Sequence, residues 1–156
     1  MRVPKLDPKN ILPPKDCPFC AIAAGRDAQV EIVCSSAEWV AFFPDNPATP
    51  GHTLLIPRKH VQDFWEADAA LRNELFRAAS KVGHAIRHAV KPEGLNLITS
   101  AGEAAEQTVF HLHLHIVPRW TDDHLDIWPP KKAISAELKE DLADLAVAVR
   151  AACGED

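Results

Sequence analysis

The stretch TVFHLHLHIVPRW, from Thr108 to Trp120, decides the fold prediction because it alternates histidines with apolar residues. His111, His113 and His115 stand two residues apart and are separated by single leucines. In a β-strand, residues two apart point to the same face, whereas in a helix they lie on different faces. We therefore predict a strand over 109–117, with three imidazoles on one face and the apolar residues facing the core.

A solvated strand face is the alternative explanation for polar residues at alternate positions. Threonine, lysine or glutamate would serve such a face equally well. Three imidazoles in strict alternation are much harder to reach by accident than one, so we interpret them as functional residues.

The three imidazoles are too far apart to bind one metal ion together. A strand rises about 3.3 Å per residue, which puts the backbones of the outer pair ~13 Å apart. Because Zn–N bonds are only about 2.1 Å long, at most two neighbouring imidazoles could share an ion. The remaining histidine suits a nucleophile and acid–base group, since imidazole is both neutral and nucleophilic near neutral pH. A phosphorus centre is an electrophile that fits such a nucleophile, and imidazole and backbone donors can hold its oxygens.

Composition restricts the class of protein. The chain has 156 residues, which suits a single domain, and a net charge of −5, which argues against binding to a nucleic-acid backbone. No apolar run approaches the ~20 residues of a membrane helix, and the N-terminus lacks the apolar middle of a signal peptide. We expect a soluble cytoplasmic protein, with a proline-rich extended arm over 1–16 and one domain over 17–156.

The remaining chain is predicted to add four strands and two long helices. Apolar and β-branched runs predict strands at 30–34, 38–43, 52–57 and 95–99, and helical spacing predicts helices at 66–90 and 134–151, the latter with Ser135 as its cap. Pro118 is expected to end the histidine-bearing strand. The order of these elements predicts an α+β fold, with an antiparallel five-stranded sheet, a long helix on one face and a C-terminal helix.

Cys17 and Cys20 form a Cys-x-x-Cys pair, which is a moderate signal for metal binding. Two half-buried thiols beside a turn are the alternative explanation. The pair alone does not decide between them.

The segment HLHLHIV (111–117) resembles the His-φ-His-φ-His-φ-φ signature of the histidine triad (HIT) family of nucleotide hydrolases and transferases. Three longer segments resemble bacterial members of that family in the same order: CPFCAIAAG (17–25), WVAFFPDNPATPGHTLLIPRKHV (39–61) and GLNLITSAGEAAEQTVFHLHLHIVPR (94–119). The resemblance implies a five-stranded antiparallel sheet with helices, paired into a homodimer.

The resemblance also implies roles for individual residues. His113 matches the nucleophile that attacks the α-phosphorus of a nucleotide, and water then cleaves the nucleotidyl-histidine to release a nucleoside monophosphate. His115 matches the residue that contacts phosphate and assists proton transfer, and His52 matches the residue that orients the nucleophile. The implied substrate is a purine nucleotide, and the implied substrate-binding side chains are Asn46, Gln107 and Thr108.

Bacterial members of the family carry a structural zinc site that matches Cys17, Cys20, His60 and His111 in this chain. Two cysteines and two histidines form an ordinary closed tetrahedral set, which leaves no open position for water. Zinc binding would also give His111 a task separate from that of His113. No organic cofactor is expected.

Three functions remain open on the same fold. The preferred one is hydrolysis of a nucleoside phosphoramidate or a dinucleoside polyphosphate at the α-phosphorus. The alternatives are a nucleotidyl transferase or phosphorylase, and a non-catalytic nucleotide-binding module stabilised by zinc. Trp120 and Trp128 are interpreted as packing residues in preference to base-stacking residues.

Overall fold

A computed structural model of the chain describes residues 16–127 and 136–153. The chain forms two compact units, and the boundary between them follows His124. Residues 1–15 of the predicted arm, Trp128 and the predicted cap Ser135 lie outside the described ranges. The assignment of 17–156 to one domain stays a prediction.

The first unit contains an antiparallel five-stranded sheet, which confirms the predicted α+β class. Its strands are β1 (Ile32–Ser35), β2 (Trp39–Phe42), β3 (Thr53–Pro57), β4 (Gly94–Ile98) and β5 (Leu114–Arg119), and its helices are α1 (Pro18–Ala23) and α2 (Ala69–Val90). The strand order across the sheet is β1-β2-β3-β5-β4, so β1 and β4 are the edges. The histidine-bearing strand is therefore near the centre of the sheet.

Helix α2 covers one face of the sheet, as predicted. Its apolar residues recur at helical spacing and pack on inward-facing residues of β2, β3 and β5; the buried helix residues are Leu75, Ala78, Ala79, Val82 and Ile86. The helix begins after Asp68, whose side chain accepts a hydrogen bond from the Leu71 amide at 2.8 Å. It ends at Lys91, which adopts a left-handed conformation with φ of 49°.

Helix α1 lies on the opposite face of the sheet. Ile22 and Ala23 pack there against a second apolar cluster that includes Phe42 and Leu54. The Arg58 side chain donates to the main-chain oxygen of Ala23 and so fixes the end of the helix. This packing brings the Cys-x-x-Cys segment to the face of the sheet that carries the histidines.

Strand β5 begins at Leu114, so the predicted strand over 109–117 is wrong at its start. The amide of His111 donates to the carbonyl two residues earlier at 2.8 Å, and the amide of Leu112 donates to the oxygen of Val61 at 2.6 Å. These amides are therefore not available to a neighbouring strand. The first two histidines lie in an irregular segment ahead of the strand.

Pro118 lies inside β5, so the prediction that it ends the strand is also wrong. The oxygen of Arg119 accepts from the amide of Glu93, so the backbone of Arg119 faces β4 and that of Pro118 faces the other side. On that side the pairing with β3 has already ended, at Thr53 opposite Ile116. The missing N–H of proline therefore leaves no β3 partner unsatisfied.

The second unit contains helix α3 (Ala136–Cys153), close to the predicted range of 134–151. In the part of the chain that the structure describes, no helix is both long and apolar enough to cross a membrane.

Candidate active site and metal cluster

His113 is buried and holds one defined tautomer. Its Nδ1 lies 2.8 Å from the main-chain oxygen of His111. A carbonyl oxygen can only accept, so Nδ1 carries the proton and donates it, which leaves a lone pair on Nε2. Burial lowers the pKa of His113 below its ordinary value. The ring is therefore neutral and nucleophilic near neutral pH.

His52 and His115 form a hydrogen-bonded pair with a fixed direction. The amide of Ala48 donates to Nδ1 of His52 at 3.0 Å, so the proton of the neutral His52 ring is on Nε2. That Nε2 lies 3.0 Å from Nδ1 of His115 and donates to it. The neutral His115 ring consequently carries its own proton on Nε2.

The structure gives His52 a different neighbour from the one implied by the resemblance. His52 and His115 stack with ring centroids 5.2 Å apart, and the hydrogen bond also joins these two residues. Contact with His113, the predicted nucleophile, is made by His115, whose ring centroid is 5.1 Å from that of His113. His115 thus lies between His52 and His113 in this chain of contacts.

The histidines together present a lone pair beside a hydrogen-bond donor. Burial, followed by the proximity of the His113 and His52 rings, lowers the pKa of His115 to about 4. Burial also lowers the pKa of His52. All three rings are therefore neutral near pH 7, with His113 suited to attack and His115 suited to donate a hydrogen bond.

The three predicted substrate-binding residues differ in their surroundings. Asn46 and Thr108 are exposed, Asn46 in the loop that also carries Ala48. Gln107 is 3% exposed, and its carboxamide is engaged by main-chain groups. It accepts from the Gly102 amide at 2.8 Å and donates to the oxygens of Gln62 and Val109, at 2.8 and 3.1 Å. These bonds connect the loop before the histidines to the loop after β3.

The four predicted metal ligands meet in one cluster. One ligand atom from each of Cys17, Cys20, His60 and His111 lies within 4.8 Å of all the others. Nδ1 of His111 is 3.5 Å from both sulfurs, and Nδ1 of His60 is 3.2 Å from the sulfur of Cys20. Tetrahedral zinc with ordinary bond lengths would separate sulfur and nitrogen ligands by about 3.6 Å.

The chemistry of this cluster fits a divalent cation. Nε2 of His111 donates to the oxygen of Pro57 at 2.9 Å, so its lone pair on Nδ1 faces the sulfurs. Burial is the main cause that raises the pKa of Cys20 to about 11 and lowers the pKa of His111 to about 4. A bound cation would offset the cost of ionising the buried Cys20 thiol, because a cation stabilises the thiolate. The residues present therefore fit zinc.

Sequence reasoning missed two contributors to the site. Phe19 lies between the two cysteines and contacts both His111 and His113; its position inside the Cys-x-x-Cys pair was an available signal. Ala48 contributes only its main-chain amide. No sequence signal marks that role, because every residue except proline supplies an amide.

The HIT domain family model matches residues 26–122, and the chain belongs to this family. An uncharacterized HIT-like protein of Saccharolobus solfataricus is 40% identical over 126 residues, covering 80% of this chain and 90% of the relative. A crystal structure of a protein from Streptococcus mutans superposes with a TM-score of 0.79 at 36% identity, covering 88% of this chain and 85% of that one.

Two further relatives bear on chemistry. A zinc-bound histidine triad family protein from Mycobacterium smegmatis has a TM-score of 0.69 at 30% identity and covers 87% of this chain and 99% of its own. The adenylylsulfatase HINT3 of Arabidopsis thaliana is 28% identical over 135 residues, covering 86% of this chain and 68% of the relative. The chain is thus similar to an adenylylsulfatase and to a protein whose structure contains zinc.

Proposed function

We propose that this protein is a nucleotide hydrolase that cleaves at the α-phosphorus through a covalent nucleotidyl intermediate on His113. The observation that carries the proposal is the fixed tautomer of His113. Its Nδ1 proton is held by the oxygen of His111, so the lone pair of Nε2 stands available beside the ring of His115. A binding module would have no need for this arrangement.

The first step forms a bond between Nε2 of His113 and the α-phosphorus and breaks the bond from phosphorus to the leaving group. The leaving group takes the electron pair and a proton from solvent. The Nε2–H of His115 donates a hydrogen bond to the negative charge that develops, which stabilises the transition state.

The second step returns the enzyme to its starting state. Water attacks phosphorus, the bond to His113 breaks, and its electron pair returns to Nε2. The water releases one proton to solvent, which balances the proton taken up in the first step. The products are a nucleoside monophosphate and the protonated leaving group.

The direct test is incubation with adenosine phosphoramidates and dinucleoside polyphosphates, with and without inorganic phosphate, followed by mass analysis of the products. We expect nucleoside monophosphate in both conditions, and its loss in His113→Ala. A nucleoside diphosphate that forms only with phosphate would identify a phosphorylase. Tight binding without any product would identify a binding module, and both outcomes contradict the proposal.

We also propose that Cys17, Cys20, His60 and His111 hold one structural zinc ion. The ion would close a four-ligand shell and supply folding energy without a position for water. Two observations support this proposal. The four ligand atoms lie close together, and His111 donates through Nε2 to Pro57, which leaves the lone pair of its Nδ1 facing the sulfurs. Nε2 of His60 is buried without a hydrogen-bond partner, so the polar contact of this ring is its Nδ1 contact with the cluster.

Finally, we propose that the protein is a homodimer joined through the β4 edge. Leu95 and Leu97 are 43% and 38% exposed on this edge, and Phe76 of α2 is 56% exposed beside them. These residues line a groove of about 570 Å³ on the face of the sheet opposite the histidines. A second copy would cover this apolar surface and pair an open strand edge.

Light scattering at tens of micromolar tests the dimer. We expect twice the chain mass of 17.1 kDa. Leu97→Lys should shift the mass towards the monomer, whereas Val33→Lys, at an equally exposed position on the β1 edge, should not. A wild-type protein with the mass of one chain would contradict the dimer.

A further inference from the structure

Phe19 joins the metal cluster to the nucleophile. Its ring meets the ring of His113 edge to face, with centroids 5.3 Å apart and planes at 83°. It also contacts His111 at 6.0 Å and Phe42 at 5.6 Å. The residue is therefore packed between a predicted metal ligand, the predicted nucleophile and the apolar cluster.

The position of Phe19 depends on helix α1, which has little stability of its own. The helix has six residues, and its N-cap residue Cys17 makes no side-chain capping bond. Isolated helices of this length are unstable in water, so α1 needs external anchors. Its last turn is anchored by the packing of Ile22 and the bond from Arg58. Its first turn is anchored at Cys17 and Cys20, which belong to the metal cluster.

The nucleophile is held from a second direction by the same cluster. His111 contributes Nδ1 to the cluster, and its main-chain oxygen accepts the Nδ1 proton of His113. One hydrogen bond at Nδ1 still leaves the imidazole able to tilt about that bond. The ring of Phe19 restricts this tilt on one side and so contributes, with the hydrogen bond, to the direction in which Nε2 points.

We propose that Phe19 is a positioning residue that makes the orientation of His113 depend on metal occupancy of the cysteine–histidine cluster. Zinc held by Cys17 and Cys20 would fix the first turn of α1 and so keep the ring of Phe19 in its contact with His113. The effect on turnover rests on the proposed function, whereas the effect on the His113 ring does not.

The experiment compares Phe19→Leu with Phe64→Leu. Phe64 is also half-buried and also makes a ring contact, with Trp65 at 5.8 Å, but it packs on the α2 side of the sheet. Histidine ring signals are followed by NMR while zinc is added to chelated protein. In wild type and Phe64→Leu we expect the ring protons of His113 to shift as zinc binds. In Phe19→Leu zinc should bind with the same stoichiometry, while this shift should be clearly smaller than in wild type, because only the link through His111 remains.

Two results would overturn the proposal. One is a His113 ring signal in wild type that does not change as zinc is added, and the other is a shift in Phe19→Leu as large as that in wild type. If chelated protein does not fold, the zinc-loaded proteins are compared directly. The hydrogen-bonded Nδ1 proton of His113 should then be visible in wild type and Phe64→Leu and broadened or lost in Phe19→Leu. Its retention in Phe19→Leu would equally overturn the proposal.

Kinetics separate positioning from substrate contact. We expect kcat of Phe19→Leu to fall by about 10- to 100-fold, because small misplacements of reacting groups have effects of that size. KM should stay near that of wild type. A raised KM with unchanged kcat would show that Phe19 contacts substrate and would overturn positioning. If no variant and no wild-type preparation turns over nucleotide, the proposed function fails while the NMR comparison still decides the role of Phe19.

Discussion

Hydrogen-bond partners that can only donate or only accept determine the tautomers of the site histidines. The amide of Ala48 forces the His52 proton onto Nε2, and the carbonyl of His111 forces the His113 proton onto Nδ1. His115, which accepts from His52, must donate through its outer nitrogen. Neighbouring histidines thus receive opposite tautomers from backbone groups, of which the Ala48 amide would be removed only by substitution with proline.

The pair His52–His115 should act as one unit in catalysis. His52→Ala removes the donor that orients His115, so we expect kcat to fall by about 10²-fold, as for loss of a positioned acid–base group. Because both residues act through the same donor, the double variant with His115→Ala should be no slower than His115→Ala alone. Steady-state kinetics of the two single variants and the double variant check this. Multiplicative losses in the double variant would show independent roles.

Stability should fall as the site histidines are forced to accept protons. The pKa of His115 is lowered from 6.5 to about 4 in the folded chain, mainly by burial. Between these values the unfolded chain binds more protons, so the stabilisation is complete above pH 6.5 and is lost as the pH falls through about 4. Denaturant unfolding at about pH 7.5 and about pH 5 should show a larger loss for wild type than for His115→Gln.

The matched control is His84→Gln, at an exposed position on α2. Its free energy of unfolding should keep the pH dependence of wild type. An unchanged pH dependence in His115→Gln would show that this ring carries no such linkage.

At the scale of the elements, the side chain of Gln107 connects two loops, and we expect it to stabilise the folded chain. Gln107→Ala leaves the half-buried amide of Gly102 without its partner, and we expect a loss of about 1–3 kcal/mol in the free energy of unfolding. Glu103→Ala, in the exposed part of the same loop, is the control and should change it little. Denaturant melts measure both. A Gln107→Ala protein of unchanged stability and raised KM would support the substrate role instead.

The sequence predicted the elements better than it predicted their ends. Alternation predicted that Phe110, Leu112, Leu114 and Ile116 face the core. The last three are buried in the cluster beneath α2, whereas Phe110 is half-buried. The true start of β5 depends on the bond from Leu112 to Val61, a contact across 51 positions that periodicity does not contain. The continuation through Pro118 depends on the length of a neighbouring strand. Local sequence patterns therefore predicted on which face of the sheet each side chain lies. The ends of the strand depend on contacts with residues distant in sequence, which those patterns do not contain.

The candidate site was predictable to different degrees for similar reasons. Histidine spacing marked His111, His113 and His115 together as functional residues. The separate roles of His113 and His115, and His60 as a ligand, came from the family resemblance alone. The partner of His52 and the bonds of Gln107 required the fold, because both depend on loops that meet only in the folded chain.

At the scale of the whole first unit, the metal cluster connects three distant parts of the chain. Cys17 and Cys20 come from the start of α1, His60 follows β3, and His111 precedes β5. We expect about one zinc per chain by metal analysis. Chelation should lower Tm by roughly 10 °C or more, since losing even about 3 kcal/mol has that effect in a domain of this size.

Cys17→Ser should lower Tm in the same way, and added zinc should restore little of it. Cys34→Ser is the control, because Cys34 lies on β1 outside the cluster. A purified protein without metal whose Tm equals that of a zinc-loaded sample would contradict the structural role.

Trapping of the covalent intermediate tests the central claim most directly. Wild-type protein is mixed with an adenosine phosphoramidate, quenched within the first turnover at alkaline pH to protect the phosphorus–nitrogen bond, digested, and analysed by mass spectrometry. The account predicts one added nucleotide mass on His113, which is absent from His113→Ala and present in His84→Ala. Normal turnover by His113→Ala, or an adduct on another residue, would contradict it.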